Sequence, residues 1–141
     1  MRFLLFAVSC LLSISAFAET HEVQMLNRGD EGAMVYAPAY LKVAPGDTVK
    51  FLASTKNHNA ASIDGMIPEG AEPFKGKINE EIEVTFDVEG IYGIKCSPHY
   101  TMGMVMIIQV GERVATPADL PEKLPGRAKK RMLEYMKSGG Q

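Results

Sequence analysis

The chain has 141 residues, with 15 Lys and Arg against 17 Asp and Glu and a formal net charge of −2. A balance this close to neutral disfavours general nucleic-acid binding, which needs a strongly basic surface. The length suits one domain with a sizeable hydrophobic core.

The first residues have the pattern of a secretory signal peptide. Arg2 gives a positive start, residues 3–12 are mostly apolar, and residues 16–18 fit a small-x-small cleavage site. The apolar run is too short to span a membrane as a helix. We therefore predict that the chain is exported, with a signal peptide at 1–18 that is cleaved after Ala18.

Export makes the cysteine count informative. Cys10 would leave with the signal peptide, so Cys96 would be the one thiol of the mature chain. Exported proteins usually pair their cysteines. An inert buried cysteine is the alternative, but His99 and Met104 follow Cys96 so closely that a chemical role is favoured.

Short alternating segments between turn residues predict an all-β antiparallel sandwich. The predicted strands are residues 21–27, 33–37, 40–43, 48–53, 81–88, 91–95 and 105–110. Residues 54–77 show no strand pattern and contain His58. An irregular segment of this length inside a small domain usually has a function.

The tail changes character and predicts two short helices packed on the sandwich. Thr116 is a helix N-cap candidate, Pro117 follows it, and Pro125 ends this first helix. A second helix is predicted over 127–137. Its apolar face would consist of Ala128, Met132, Tyr135 and Met136. We divide the chain into the signal peptide at 1–18, a β-sandwich at 19–113 and a helical extension at 114–141.

The loop between the last two strands carries the candidate metal ligands Cys96, His99 and Met104. A thiolate, an imidazole and a weak thioether suit copper, and a second imidazole would complete the blue-copper set. His58 is favoured over His21, because His21 lies near the mature N-terminus, where chains usually fray. Met102 is the rival of Met104 as the axial ligand.

Two residues beside these ligands are predicted to tune the site. Pro98 removes a backbone N–H from the loop, which would leave fewer donors near the Cys96 sulfur and raise the reduction potential. Asn59 can hydrogen-bond across to the Cys96 segment and tie His58 to the loop.

Other interpretations fit less well. Structural zinc sites use four strong ligands and catalytic ones keep an open position, so a set with a thioether favours copper. A thiol nucleophile with His99 as its base would need neither His58 nor Met104. Copper storage or delivery stays open, and an absorption spectrum of the Cu(II) protein would separate it from electron transfer.

Four segments carry a family resemblance: residues 95–104, 41–49, 65–71, and 25–27 together with 32–35. On these the sequence resembles the cupredoxins over essentially all of 19–141, and its helical tail sets it apart from the plastocyanins. The resemblance implies an eight-stranded Greek-key sandwich with two C-terminal helices. It implies one type 1 copper ion held by His58, Cys96, His99 and Met104, with Asn59 beside them.

The resemblance also implies a function. The chain would be a monomeric periplasmic electron carrier rather than an enzyme. It would shuttle single electrons to a redox partner such as a nitrite reductase in denitrification, with a cytochrome-type donor possible. It would bind neither nucleic acid nor membrane.

Partner docking is expected around His99, which we predict to be the exit of the electron. An apolar patch of Met34, Pro38 and Met102 would surround it. The resemblance places a basic ring around that patch, formed by Arg28, Lys56, Lys75 and Lys95. The chain departs from the family pattern at Asn57, where glycine is common, and at Ala60-Ala61, where Val-Glu is usual.

Overall fold

Alternation of apolar and polar side chains builds eight strands in a computed structural model that describes residues 16–139. The strands are β1 (Thr20–Gly29), β2 (Gly32–Ala37), β3 (Tyr40–Val43), β4 (Asp47–Leu52), β5 (Ala61–Ser62), β6 (Ile82–Phe86), β7 (Gly90–Lys95) and β8 (Val105–Val110). One α-helix, α1 (Gly126–Gly139), follows them. Most of the predicted signal peptide, residues 1–15, lies outside the described residues.

The strands form two four-stranded sheets, in the orders β2-β1-β4-β6 and β3-β8-β7-β5. The pairs β1–β4 and β3–β8 are parallel, and the other neighbours are antiparallel. In β4, Asp47, Val49 and Phe51 are buried and the residues between them are partly exposed. This period of two directs one side of each strand into the space between the sheets.

Strand β8 follows the loop that carries the candidate metal ligands. It is buried at all six positions because it has apolar neighbours on both faces. Met106 and Ile108 lie in the core between the sheets. Val105 and Ile107 lie on the outer face, in a second cluster with α1 residues Ala128, Met132 and Tyr135. The amphipathic helix predicted over 127–137 is therefore confirmed, with its Lys129 and Lys130 side exposed.

The first of the two predicted tail helices is wrong. Thr116 and Asp119 do form a reciprocal capping pair, with the Thr116 amide donating to the Asp119 carboxylate at 2.8 Å. The structure then makes only a 3-10 turn, Pro117–Asp119. Leu120 is extended, with ψ 137°, because it precedes Pro121 and a residue before proline avoids the helical region.

All seven predicted strands are present, with ends that shift by up to two residues. The two-residue β5 was missed, since it is too short for any period to show. No helix among residues 16–139 is both long and apolar enough to cross a membrane.

Candidate metal centre

The loop between β7 and β8 is held by its own backbone. Ser97–His99 forms a 3-10 turn with Pro98 inside it. The His99 amide donates to the Cys96 carbonyl at 3.1 Å, and the Met104 amide donates to the His99 carbonyl at 3.1 Å. The Cys96 amide in turn donates to the Met104 carbonyl at 3.0 Å. This closed ring of bonds fixes three candidate ligands relative to one another.

The side chains of His58, Cys96 and His99 converge at one point. His58 Nδ1 lies 3.1 Å from His99 Nδ1, and the Cys96 sulfur lies 3.7 Å and 3.4 Å from these two nitrogens. Ligand bonds of roughly 2.0–2.3 Å place neighbouring donors roughly 3–4 Å apart around a first-row ion. The three donors therefore fit a single ion, and a sulfur with two imidazoles suits copper.

Asn27 orients His58, and sequence reasoning did not single it out. Its Oδ1 lies 2.7 Å from His58 Nε2. An amide oxygen only accepts, so Nε2 carries the proton and Nδ1 presents its lone pair to the other donors. Asn27 ends a predicted strand that lies 31 residues before His58, and no local spacing connects the two.

Asn59 joins the His58 segment to the metal loop. Its Oδ1 accepts from the Ser97 amide at 2.7 Å, and its Nδ2 donates to the Ser97 hydroxyl at 3.1 Å. The Tyr36 hydroxyl donates to the Asn59 carbonyl at 2.7 Å. Two segments 38 residues apart are thus held as one unit.

Burial controls the protonation of the site. Burial raises the pKa of the Cys96 thiol, and hydrogen bonds from the amides of Asn59 and His99 oppose this rise. Burial lowers the pKa of His58, and the nearby His99 lowers it further. A neutral imidazole is the form that binds a metal.

The two thioethers of the loop differ sharply in exposure. Met104 is fully buried and packs in the core with Cys96, whereas Met102 is 41% exposed. Gly103 between them has φ +86°, a left-handed conformation that favours glycine. The turn at Gly103 therefore sends Met104 inward and Met102 to the surface.

The predicted docking residues lie mostly on the surface. Arg28, Lys56 and Lys75 are exposed, and so is Pro38. Lys95 is half-buried, with its ammonium 5.0 Å from the centre of the Tyr100 ring.

Two further residues bear on the edge of the site. Met34 is half-buried with φ 55°. Of the two imidazoles, His58 is buried and His99 is partly exposed.

His21 lies in a different cluster. Its Nε2 is 2.8 Å from an Asp47 carboxylate oxygen, and Glu19 completes a group of three. Asn57 has φ 76°. Asparagine is one of the few other residues that tolerate this conformation, and the Asn57 amide donates to Asn79 Oδ1 at 2.7 Å.

Comparison with known proteins agrees with this site. Residues 23–111 match the family model of copper binding proteins, plastocyanin/azurin family. Pseudoazurin from Paracoccus pantotrophus is 46% identical over 129 residues, which cover 89% of each chain. Putative pseudoazurin from Rhizobium leguminosarum bv. viciae is 46% identical over 135 residues, covering 92% of this chain and 87% of the relative. The crystal structure of pseudoazurin from Methylobacterium extorquens AM1 superposes with a TM-score of 0.78 at 40% identity, covering 86% of this chain and 99% of that one.

The chain belongs to the cupredoxins, the blue copper electron-transfer proteins with a Greek-key sandwich. Within that family, the two relatives at 46% identity over about nine tenths of this chain place it among the pseudoazurins.

Proposed function

We propose that this chain is a periplasmic one-electron carrier whose copper ion is held by His58, Cys96, His99 and Met104. One observation carries the proposal: a thiol and two imidazole nitrogens lie within 4.8 Å of one another at a single point. Met104 joins them through its backbone bonds to Cys96 and His99.

The ion supplies a one-electron couple when bound, and the protein supplies a fixed set of donors. Cys96 would give up its thiol proton on binding. The amides of Asn59 and His99, which oppose the rise in its pKa, would favour this loss. Asn27 keeps the His58 ring in one orientation. Donors held in this way move little when the charge of the site changes, so little free energy is spent on rearrangement.

His99 is the proposed exit for the electron. His58 is buried and its far nitrogen is occupied by Asn27, whereas the His99 ring is partly exposed. Met34, Pro38 and Met102 would form the apolar contact around it, with Arg28, Lys56, Lys75 and Lys95 as the basic ring. A basic surface of this kind steers a protein toward an acidic partner.

We assign the chain to denitrification as a donor to a nitrite reductase, with a cytochrome as its own donor and with no stable oligomer. The mature protein would begin at Glu19 after loss of residues 1–18, and the sandwich at 19–113 and the tail at 114–141 would act as one unit. Mass spectrometry of the protein from a periplasmic extract tests the cleavage site. A mass that retains residues 1–18 would contradict it.

The absorption spectrum of the Cu(II) protein tests the function itself. An electron carrier of this type shows an intense visible thiolate-to-copper band that disappears and returns over reversible redox cycles. A colourless protein, or copper that a chelator removes readily, would indicate storage or delivery instead. Adding an acidic nitrite reductase to the reduced protein then tests the partner, since the colour should return as the enzyme takes the electron.

A further inference from the structure

The guanidinium group of Arg131 binds the backbone of β2 and the backbone of the loop between β7 and β8. Arg131 lies in the second turn of α1 and is half-buried. It donates to the carbonyl oxygens of Ala33 and Met34 at 2.6 Å each and to that of Gly103 at 3.0 Å. Among residues 16–139, no carboxylate forms an ion pair with it. The hydrogen bonds of its charged group that the structure shows therefore go to these three carbonyls.

One of these segments has a strained backbone, and the other packs tightly against α1. Met34 has φ 55°, a left-handed value that is strained for a methionine. Gly103 has φ +86° and lies so close to α1 that a Cβ there would be 3.2 Å from the Arg127 backbone. A strained conformation such as that of Met34 persists only where the surroundings enforce it, and charged hydrogen bonds are among the strongest such restraints.

The bond to Gly103 acts on the peptide that joins Gly103 to Met104. The carbonyl of this peptide accepts from Arg131, and its N–H, that of Met104, donates to the His99 carbonyl. One rigid peptide plane thus connects Arg131 to two proposed copper ligands. Arg131 lies beyond residues 23–111, which the family model matches.

We propose that Arg131 is a positioning residue for the copper site. It holds the Gly103–Met104 peptide and the Met34 backbone of β2 in place. The burial of Met104 and the position of the apolar patch around His99 are thereby fixed by the same side chain. This role rests on the proposed copper site, because Met104 and His99 are positioned for that ion.

Three variants separate this role from general stabilisation. Arg131→Met removes every donor but keeps a long unbranched side chain. Arg131→Lys keeps the charge and can still reach one carbonyl. Lys129→Met removes a positive charge from the exposed side of the same helix and serves as the matched control.

The first readout is hydrogen exchange of the Met104 amide in the Cu(I) protein. We expect Arg131→Met to accelerate it roughly tenfold or more, since a hydrogen bond from a charged donor is lost. Arg131→Lys should have a smaller effect and Lys129→Met none. Equal acceleration at the Val49 and Phe51 amides of β4 would overturn the proposal, because Arg131 would then only add to global stability.

The second readout is the wavelength of the visible thiolate-to-copper band in the Cu(II) protein. This wavelength should shift in Arg131→Met, shift less in Arg131→Lys and stay constant in Lys129→Met. An unchanged wavelength in Arg131→Met would contradict the proposal. If the wild-type chain bound no copper, the proposed function would fail, while exchange in the metal-free chain would still decide whether Arg131 holds the Gly103–Met104 peptide.

Discussion

The two ends of β1 each carry a histidine cluster, and the two clusters differ in what their donor atoms already bind. His21 lies near the start of β1, and Asn27, which holds His58, lies near its end. Six residues of strand separate them, about 20 Å. Both groups bring three potential ligands within 4.8 Å of one another.

At the His21 end, the central carboxylate of Asp47 is already bound. One of its oxygens accepts from the Glu19 amide, and the other accepts from the Ala44 amide and lies 2.8 Å from His21 Nε2. At the other end, Asn27 binds the outer nitrogen of His58, and the inner nitrogen faces Cys96 and His99. A group of ligand residues can bind a metal when the lone pairs of its ligand atoms are not already occupied by hydrogen-bond donors of the protein. The Asp47 group instead works as a latch between the starts of β1 and β4.

The largest expected effect is at the thiol. Cys96→Ser should abolish the visible thiolate-to-copper band, because serine offers no soft sulfur to the ion. His21→Gln, at the other end of β1, should leave the band unchanged. Absorption spectra of the two Cu(II) variants make the comparison. A coloured Cys96→Ser protein, or a colourless His21→Gln protein, would reverse our assignment of the two clusters.

A smaller effect is expected from removing the acceptor behind His58. Asn27→Ala frees the His58 ring to rotate, and loss of such an outer partner typically weakens metal binding roughly 10- to 100-fold. Competition with a copper chelator measures the affinity. Asn27→Asp keeps an acceptor at the same place and should retain most of it. Equal affinity for Asn27→Ala and wild type would show that His58 needs no orienting partner.

At the latch, the effect should appear in stability and depend on pH. The Glu19 amide, followed by His21 and the Ala44 amide, lowers the pKa of Asp47 to about 2. An acid with a depressed pKa stabilises the fold above its ordinary pKa of about 3.9, and this contribution is lost as pH falls toward 2. Asp47→Asn should therefore cost about 1–3 kcal/mol at pH 7, with the difference shrinking below pH 4.

Urea denaturation from pH 2.5 to 7 checks this prediction. The metal-free protein is used because copper release at low pH would otherwise add to the change in stability. Thr85→Val, which loses one exposed hydroxyl contact with Thr48, is a control with no acid-dependent part. A difference between Asp47→Asn and wild type that stayed constant with pH would mean that the Asp47 charge contributes nothing.

The smallest expected effect concerns surface charge. Lys56→Gln should lower the rate of electron transfer to an acidic partner roughly two- to fivefold at low salt, and less at high salt. Lys42→Gln removes one charge at the other end of the sandwich, where Lys42 pairs with Glu112, and should leave the rate unchanged. Stopped-flow rates over a salt series test both. Equal losses for the two variants would argue against steering at the copper end.

Much of this architecture is predictable from the sequence because it is local. Strand periods, the apolar face of α1 and the spacing from Cys96 to Met104 all appear within a few residues of one another. The contacts of Asn27 and Arg131 are different, since they connect residues 31 and up to 98 positions apart. Asn27 binds a ring nitrogen, and Arg131 binds backbone carbonyls. Because every residue has a backbone carbonyl, the sequence of side chains does not indicate which carbonyls an arginine will bind.

The mistaken first tail helix has a similar origin. Its capping signals are real, and Thr116 and Asp119 use them. They start one turn, but the conformational limit that Pro121 places on Leu120 then outweighs the capping gain. A start signal therefore predicts a helix only when the following residues can continue it.

The outer face of β8 has a consequence for how the sequence can vary. Val105 and Ile107 are apolar there, and the α1 residues Ala128, Met132 and Tyr135 form a large part of the cluster that covers them. A shorter protein of the same fold that ended soon after β8 would present these two side chains to water. Its sequence would have to carry polar residues at both positions. The polarity of these two positions of β8 therefore indicates whether a helix covers that face.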